Sequence, residues 1–206
     1  MEAVKIHELL KERFADAVGE FNDGLEKGAS IEAGSIAEVA EFMRNDETLS
    51  FDLLMCLTGV DWDGYDEGGK GKSVAILGYD ENGEPEQSDR VAEGDFGVLY
   101  SLYSYKHGHK FTLTVRVTRQ EASVPTVSSV WPTANWHERE AFDLVGINFA
   151  GHPDLRRILL DDEWVGHPLR KDYVMPGSWL GVPMKGQPLA ANPFSEDDVK
   201  LPGGES

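Results

Sequence analysis

Glu138 and Glu140 flank Arg139 in the stretch ANWHEREAFDLVG (134–146), with His137 on one side and Asp143 just beyond. Paired carboxylates can divide general acid and general base work, and an adjacent His or Arg can tune them. On a helix, however, residues two apart point to different sides. The two glutamates therefore cannot converge on one substrate by themselves, and a structural ion pair is the plainer expectation. Further along, Gly151-His152-Pro153-Asp154-Leu155-Arg156-Arg157 is echoed by Gly166-His167-Pro168-Leu169-Arg170-Lys171. Two His-Pro corners, each followed by a pair of cations, could serve catalysis, metal binding or docking.

Other reactive groups are sparse. The six histidines are His7, His107, His109, His137, His152 and His167. None shows the spacing of a helical metal site. His107 and His109 lie in a Gly-containing turn, where solvated histidines are expected. His152 and His167 precede prolines, which push them into extended backbone where a ring can bond the main chain and fix a corner. The single thiol, Cys56, sits in the apolar run FDLLMCLTGV and is expected to be buried. One cysteine forms no internal disulfide and cannot hold an iron–sulfur cluster alone. Dinucleotide, phosphate-loop and nucleophile-elbow fingerprints do not occur. The sequence offers no self-contained active site.

The elements that must position these residues are partly legible. Val4 to Phe21 reads as an amphipathic helix through Ile6, Leu9, Leu10, Phe14 and Val18. Ser35 with Glu38 forms a capping box for a second helix reaching about Arg44. Phe51 to Val60 reads as a buried strand. Residues 63–95, rich in Gly and acids, read as an inserted loop or hairpin. Phe96 to Tyr105 and Phe111 to Thr118 read as strands of a hairpin, the second alternating between a core face and a wet face. A third helix starts near Asn135, capped by Asn135 and Glu138, and stops at Gly146. Leu144, Ala141, Val145 and Phe142 form its apolar arc, with Arg139, Asp143, Glu140 and Trp136 opposite. Glu138 falls within the apolar arc and needs a partner; a cation from Arg156 or Arg157 is expected. From Val174 the chain is interrupted by Pro and Gly, yet it keeps Trp179, Leu180, Val182, Met184, Leu189 and Phe194. An extended arm on a partner is expected there.

The bulk properties narrow the setting. The 206 residues suit one good-sized domain plus an arm, and 40% apolar content can supply a core. With 37 acids against 19 bases, a net charge of -18 excludes unaided nucleic-acid binding and favours solubility. No apolar run is long enough to span a bilayer and the N-terminus lacks the apolar core of a signal peptide. An intracellular chain is expected, meeting a membrane only through partners. The expected fold is α+β: helices on a mixed sheet over residues 1–173, then an extended C-terminal arm over 174–206.

Asn135-Trp136-His137-Glu138-Arg139-Glu140, Phe142-Asp143, Gly146-Ile147, Phe149 and Gly151 to Leu159 resemble the signature of a hydrophilic subunit of respiratory complex I. The family is that of the thirty-kilodalton subunit of NADH:quinone oxidoreductase. Trp164 and Gly166 to Tyr173 continue the resemblance, as do Thr58 to Asp61 and Ser128 to Pro132. Two departures are the long stretch 63–95 and Val174-Met175-Pro176, where the family has proline at once. The resemblance implies a peripheral-arm subunit that binds no cofactor itself, while NAD, FMN, iron–sulfur clusters and quinone are carried by the complex. It implies packing beside the quinone-pocket subunit and iron–sulfur subunits, on the cytoplasmic side of a bacterial inner membrane. Structural and interface roles then fall on Trp136, Glu138, Arg139, Glu140, Asp143, His152, Asp154, Arg156, Arg157, His167, Arg170, Lys171, Asp172, Tyr173 and Trp179. Arginine forks in such a set suit bidentate contacts. Two alternatives stand beside this reading. One is the equivalent subunit of a membrane-bound [NiFe] hydrogenase-type complex; the other is a stand-alone hydrolase or lyase using Glu138, His137 and Arg139.

Overall fold

The computed structural model describes residues 2–24, 26–62 and 94–173, and beyond them 176, 178–180 and 182–183. The main body begins with helix α1 (Ala3–Phe14). Its apolar stripe buries Ile6 and Leu10 completely. The helix is shorter than the expected 4–21. Ala15 at φ 36° ends it, and strand β1 (Val18–Asn22) follows a single 3-10 turn. Val18 lies at helical spacing from Phe14, but its β-branch favours a strand equally, and tertiary pairing decides.

Strand β2 (Gly28–Ile31) pairs antiparallel with β1. Helix α2 (Ile36–Asn45) buries Ile36, Val39, Ala40 and Met43. Ser35 makes no capping bond, contrary to expectation. The turn Ala33–Ser35 is already 3-10, so Ser35 sits at helical dihedrals and not in the extended conformation a cap needs. Strands β3 (Leu53–Asp61), β4 (Phe96–Ser104) and β5 (His109–Val117) follow. The sheet order is β1-β2-β5-β4-β3, with β2 parallel to β5 and every other pair antiparallel. Gly28 is required at the parallel seam, since a Cβ there would fall 1.9 Å from the Thr112 carbonyl oxygen.

One sheet face carries the core. Phe96, Val98, Tyr100 and Leu102 of β4 alternate inward with Phe111, Leu113 and Val115 of β5. Strand β6 (Ser123–Pro125) pairs in parallel with β7 (Asn148–Ala150), bracketing helix α3 (Ala134–Leu144). Helix α3 packs on β3, where the Gly59 position faces Ala141, Val145 and Ile147. The result is the α+β domain with a mixed sheet that the sequence predicts.

Cys56 is exposed, not buried. β3 is an edge strand, and a register shift between Leu54 and Cys56 turns Met55 and Cys56 both outward. The turn histidines also divide. His107 is exposed, but His109 is buried with its ring nitrogen on Leu49 O at 2.8 Å. Burial holds the His109 imidazole below its usual value.

The described residues after 173 belong to a separate unit. There, strands β8 (Ser178–Trp179) and β9 (Val182–Pro183) pair as a tight antiparallel hairpin. The expected insertion at 63–95 lies outside the described residues save for its last two positions, as does most of the expected arm.

Candidate functional site

Helix α3 and the aperiodic segment 151–173 form one hydrogen-bonded structure, and Asp143 is its centre. The Asp143 side chain is fully enclosed. Its Oδ2 accepts the amides of Ile158, Leu159 and Leu160 at 3.1, 2.8 and 3.0 Å, while its Oδ1 faces Arg157 Nη1 at 3.4 Å. Arg157 also donates to Gly166 O at 3.2 Å. A carboxylate that gathers three successive amides shapes the loop as a backbone element would. Asp143 and Arg139 are buried, contrary to their expected place on a wet arc of α3. The second layer comes from a segment without helical or strand period, which a pattern of apolar spacing cannot reveal.

The last carbonyls of α3 lack partners within the helix. They are met by the second His-Pro corner. His167 Nδ1–H donates to Asp143 O at 2.8 Å, Leu169 N–H to Leu144 O at 3.0 Å, and Arg170 Nε–H to Val145 O at 2.6 Å. A cation at this end also opposes the helix dipole. Gly146, at φ +82°, turns the chain there, and a Cβ on it would meet Arg170 and His167 at 2.2 and 2.6 Å. Burial pulls both the Arg170 guanidinium and the His167 imidazole down from their usual values.

The first His-Pro corner serves the other end of α3. His152 Nε2–H donates to Asn135 O at 3.2 Å, and its Nδ1 accepts from Asp154 N–H at 3.0 Å. Those two bonds assign the Nε2–H tautomer. Glu138, also fully enclosed, accepts from Val127 N–H at 2.8 Å and pairs with the Thr126 hydroxyl. His152 Nε2 lies 3.9 Å away. Burial pushes the Glu138 carboxyl up to about 7, against the opposing pull of its Thr126 and Val127 bonds. The expected arginine partner is not there. Arg156 pairs with Asp154 at 3.0 Å on the surface, and Arg157 pairs with Asp143. The expected cap by Asn135 and Glu138 does not form either, since Glu138 faces the 126–127 turn and α3 begins without a side-chain cap.

A third cluster ties the end of the segment to the sheet. Asp61, at the end of β3, pairs with Arg119 and accepts the Lys171 amide at 2.8 Å. Arg119 reaches Asp172 at 3.5 Å, and the guanidinium carbons of Arg119 and Arg170 lie 4.5 and 4.9 Å from the Phe96 ring centroid. Burial pushes the Tyr173 phenol up from its usual value. Asp61, Arg119, Thr126 and Tyr100 were not singled out by sequence reasoning. The one available signal was a carboxylate closing the apolar run before Trp62.

The remaining candidates face outward. Trp136 is exposed, with Arg139 5.0 Å from its ring centroid, and Arg139 Nε–H donates to Arg156 O. Glu140 is exposed and lines a small groove of about 50 Å³ with His137, Leu57, Leu144 and Leu169. His137, Glu138 and Arg139 thus point to three different surroundings and do not converge. Among the described residues, no group of three or more His, Cys, Asp or Glu is placed to hold a metal ion. Trp179 lies in the separate hairpin.

Three comparisons bear on this arrangement. Residues 29–178 match the family model described as respiratory-chain NADH dehydrogenase, 30 Kd subunit. The chain is 36% identical over 161 residues to the C subunit of the NADH-quinone oxidoreductase of Chloroherpeton thalassium, covering 77% of this chain and 55% of that protein. It is 35% identical over 166 residues to the same subunit of Chlorobium phaeobacteroides, covering 79% of this chain and 83% of that one. The match thus spans about half the length of the first relative and most of the second. The fold is shared with a chain in the structure of the membrane-bound sulfane sulfur reductase, an archaeal respiratory membrane complex. That likeness has TM-score 0.58 and 23% identity, over 85% of this chain and 87% of that one.

Proposed function

The chain belongs to the 30 kDa subunit family of the respiratory-chain NADH dehydrogenase, and from that premise we propose that it is a non-redox structural subunit of a proton-translocating NADH:quinone oxidoreductase. In this reading it stands in the peripheral arm, beside the quinone-pocket subunit and the iron–sulfur subunits, on the cytoplasmic face of a bacterial inner membrane. NAD, FMN, iron–sulfur clusters and quinone are held by those other subunits. No helix among the described residues is long and apolar enough to cross a membrane, so attachment would come through partners.

The observation that carries the reading is the division of labour along 134–173. Asp143, His152, Arg157, His167 and Arg170 are all engaged within the domain. Trp136, Leu159, Val165 and Leu169 are left exposed on the same helix and segment. A rigid scaffold presenting large apolar side chains suits a docking role, since exposed apolar groups in such a setting mark interaction surfaces. Trp136 would be the anchor, because aromatic residues dominate interface energetics.

Native purification through a tag on this chain tests the proposal. Iron–sulfur and quinone-pocket subunits should co-purify, with NADH:quinone reductase activity in the assembly. The isolated chain should be colourless, without stoichiometric iron, flavin or zinc. Recovery of the chain alone, or with one equivalent of such a group, overturns the reading. A second reading is the equivalent subunit of a hydrogenase-type membrane complex; the fold is shared with a chain of another kind of respiratory membrane complex, so the fold by itself does not select between the two. A co-purifying [NiFe] subunit would select it.

A further inference from the structure

We propose that Glu138 is the proton-binding residue of a pH-sensitive latch joining α3 to the 126–128 turn and the His152 corner, firm when the carboxyl is protonated and loosened when it ionises. The first support is the absence of a counter-charge among the described residues around it. Glu138 is fully buried, and groups from three neighbouring segments face it. Tyr100 faces it from β4, His152 from the corner, and Thr126 and Val127 from the turn. Tyr100 is a buried phenol whose hydroxyl has no hydrogen-bond partner among the described residues, and burial together with the Glu138 charge pushes it up, so it stays neutral. Both nitrogens of the His152 ring are engaged with the main chain, Nε2 on Asn135 O and Nδ1 on Asp154 N–H, and neither makes a hydrogen bond to the carboxyl. On its own helix, Arg139 is turned to Arg156 O and Trp136, and His137 lines the groove by Leu57. An enclosed carboxylate without a cation is costly, and the group neutralises instead.

The second support is a count of protons in the turn. Thr126 Oγ1 lies in hydrogen-bonding contact with Glu138 Oε2 and 2.8 Å from Ser128 Oγ, and it also accepts the Ser128 amide at 3.1 Å. A hydroxyl has one proton to give. With Glu138 protonated, the carboxyl donates to Thr126, Thr126 donates to Ser128, and every group is satisfied in one direction. With Glu138 ionised, Thr126 must turn its proton to the carboxylate and Ser128 must donate back. The charge then sits enclosed beside the Tyr100 phenol and the His152 ring. The same carboxyl also holds the Val127 amide, so the turn and α3 share this one proton.

The direction of the pH effect follows. A carboxyl raised from 4.5 to about 7 in the fold binds its proton more tightly folded than unfolded. Its stabilising contribution is complete below its unfolded value and is lost as pH rises through about 7. The test is unfolding of the full chain between about pH 5.5 and about pH 8.5, wild type against Glu138→Gln. Glutamine reproduces the neutral acid: its NH₂ can donate to Thr126 and its oxygen can accept from Val127. The folding constant of the wild type should fall roughly 30-fold relative to the variant across that range, leaving the variant at least equal at its alkaline end. Parallel curves overturn the latch, as does a variant weaker than wild type at every pH, which would indicate an ionised, paired Glu138. Independently of the variant, carbon-13 NMR of glutamate-labelled wild type should show one carboxyl titrating near neutrality. Glutamates that all titrate in the ordinary carboxylate range would equally overturn it.

Discussion

Asp143 commits one carboxylate oxygen to three consecutive amides that belong to no helix or strand. Each buried amide left without a partner costs about 1–3 kcal/mol, and the losses are coupled because the three move together. Asp143→Ala should therefore lower stability by at least about 3 kcal/mol. Glu140→Ala, on exposed surface, should change it by no more than about 0.5 kcal/mol. Urea unfolding of the full chain reads both, and similar losses from the two would dismiss the central place given to Asp143. Sequence reasoning found Glu138 correctly inside the apolar arc, because helical period alone puts it there. It missed the burial of Asp143, since nothing in a periodic pattern tells that an irregular segment will cover the opposite side of the helix.

At the level of the element, α3 is short and carries no side-chain cap at its start. Its order comes instead from the two His-Pro corners, one bonding Asn135 O and the other Asp143 O. Gly146→Ala would force a Cβ at positive φ, costing about 1–2 kcal/mol by itself, and would displace Arg170 from the helix end. Hydrogen exchange at the Leu169 amide, which bonds Leu144 O, should quicken markedly in that variant. Unchanged protection there would show that the corner does not hold the helix. The hairpin of β4 and β5 was readable from alternation, and α3 from its glycine stop. The β1 strand was not, because the residues following α1 share apolar spacing with its stripe. The outward turn of Cys56 was hidden too, since neither an edge position nor a bulge leaves a mark in an apolar run.

For the whole molecule, the core lies within the described residues up to 173, and the described residues beyond belong to a separate unit. If the chain serves as the structural subunit proposed above, deleting residues after Val174 should leave the domain folded yet weaken incorporation into that complex and lower its quinone reductase activity. A truncated chain that assembles with full activity would show the tail to be dispensable. The parallel seam between β2 and β5 has a different bearing, on how the chain comes into being. It joins residues far apart in sequence; Thr112 also bonds Glu26 from 86 positions away. Loop closure must precede such pairing, so folding through this seam is slow compared with a local hairpin. During synthesis at about 5–20 residues per second, β2 leaves the ribosome roughly 4–17 s before its partner strand does. For that interval the nascent chain offers an unpaired strand edge, so chaperone capture competes with misassembly until β5 arrives.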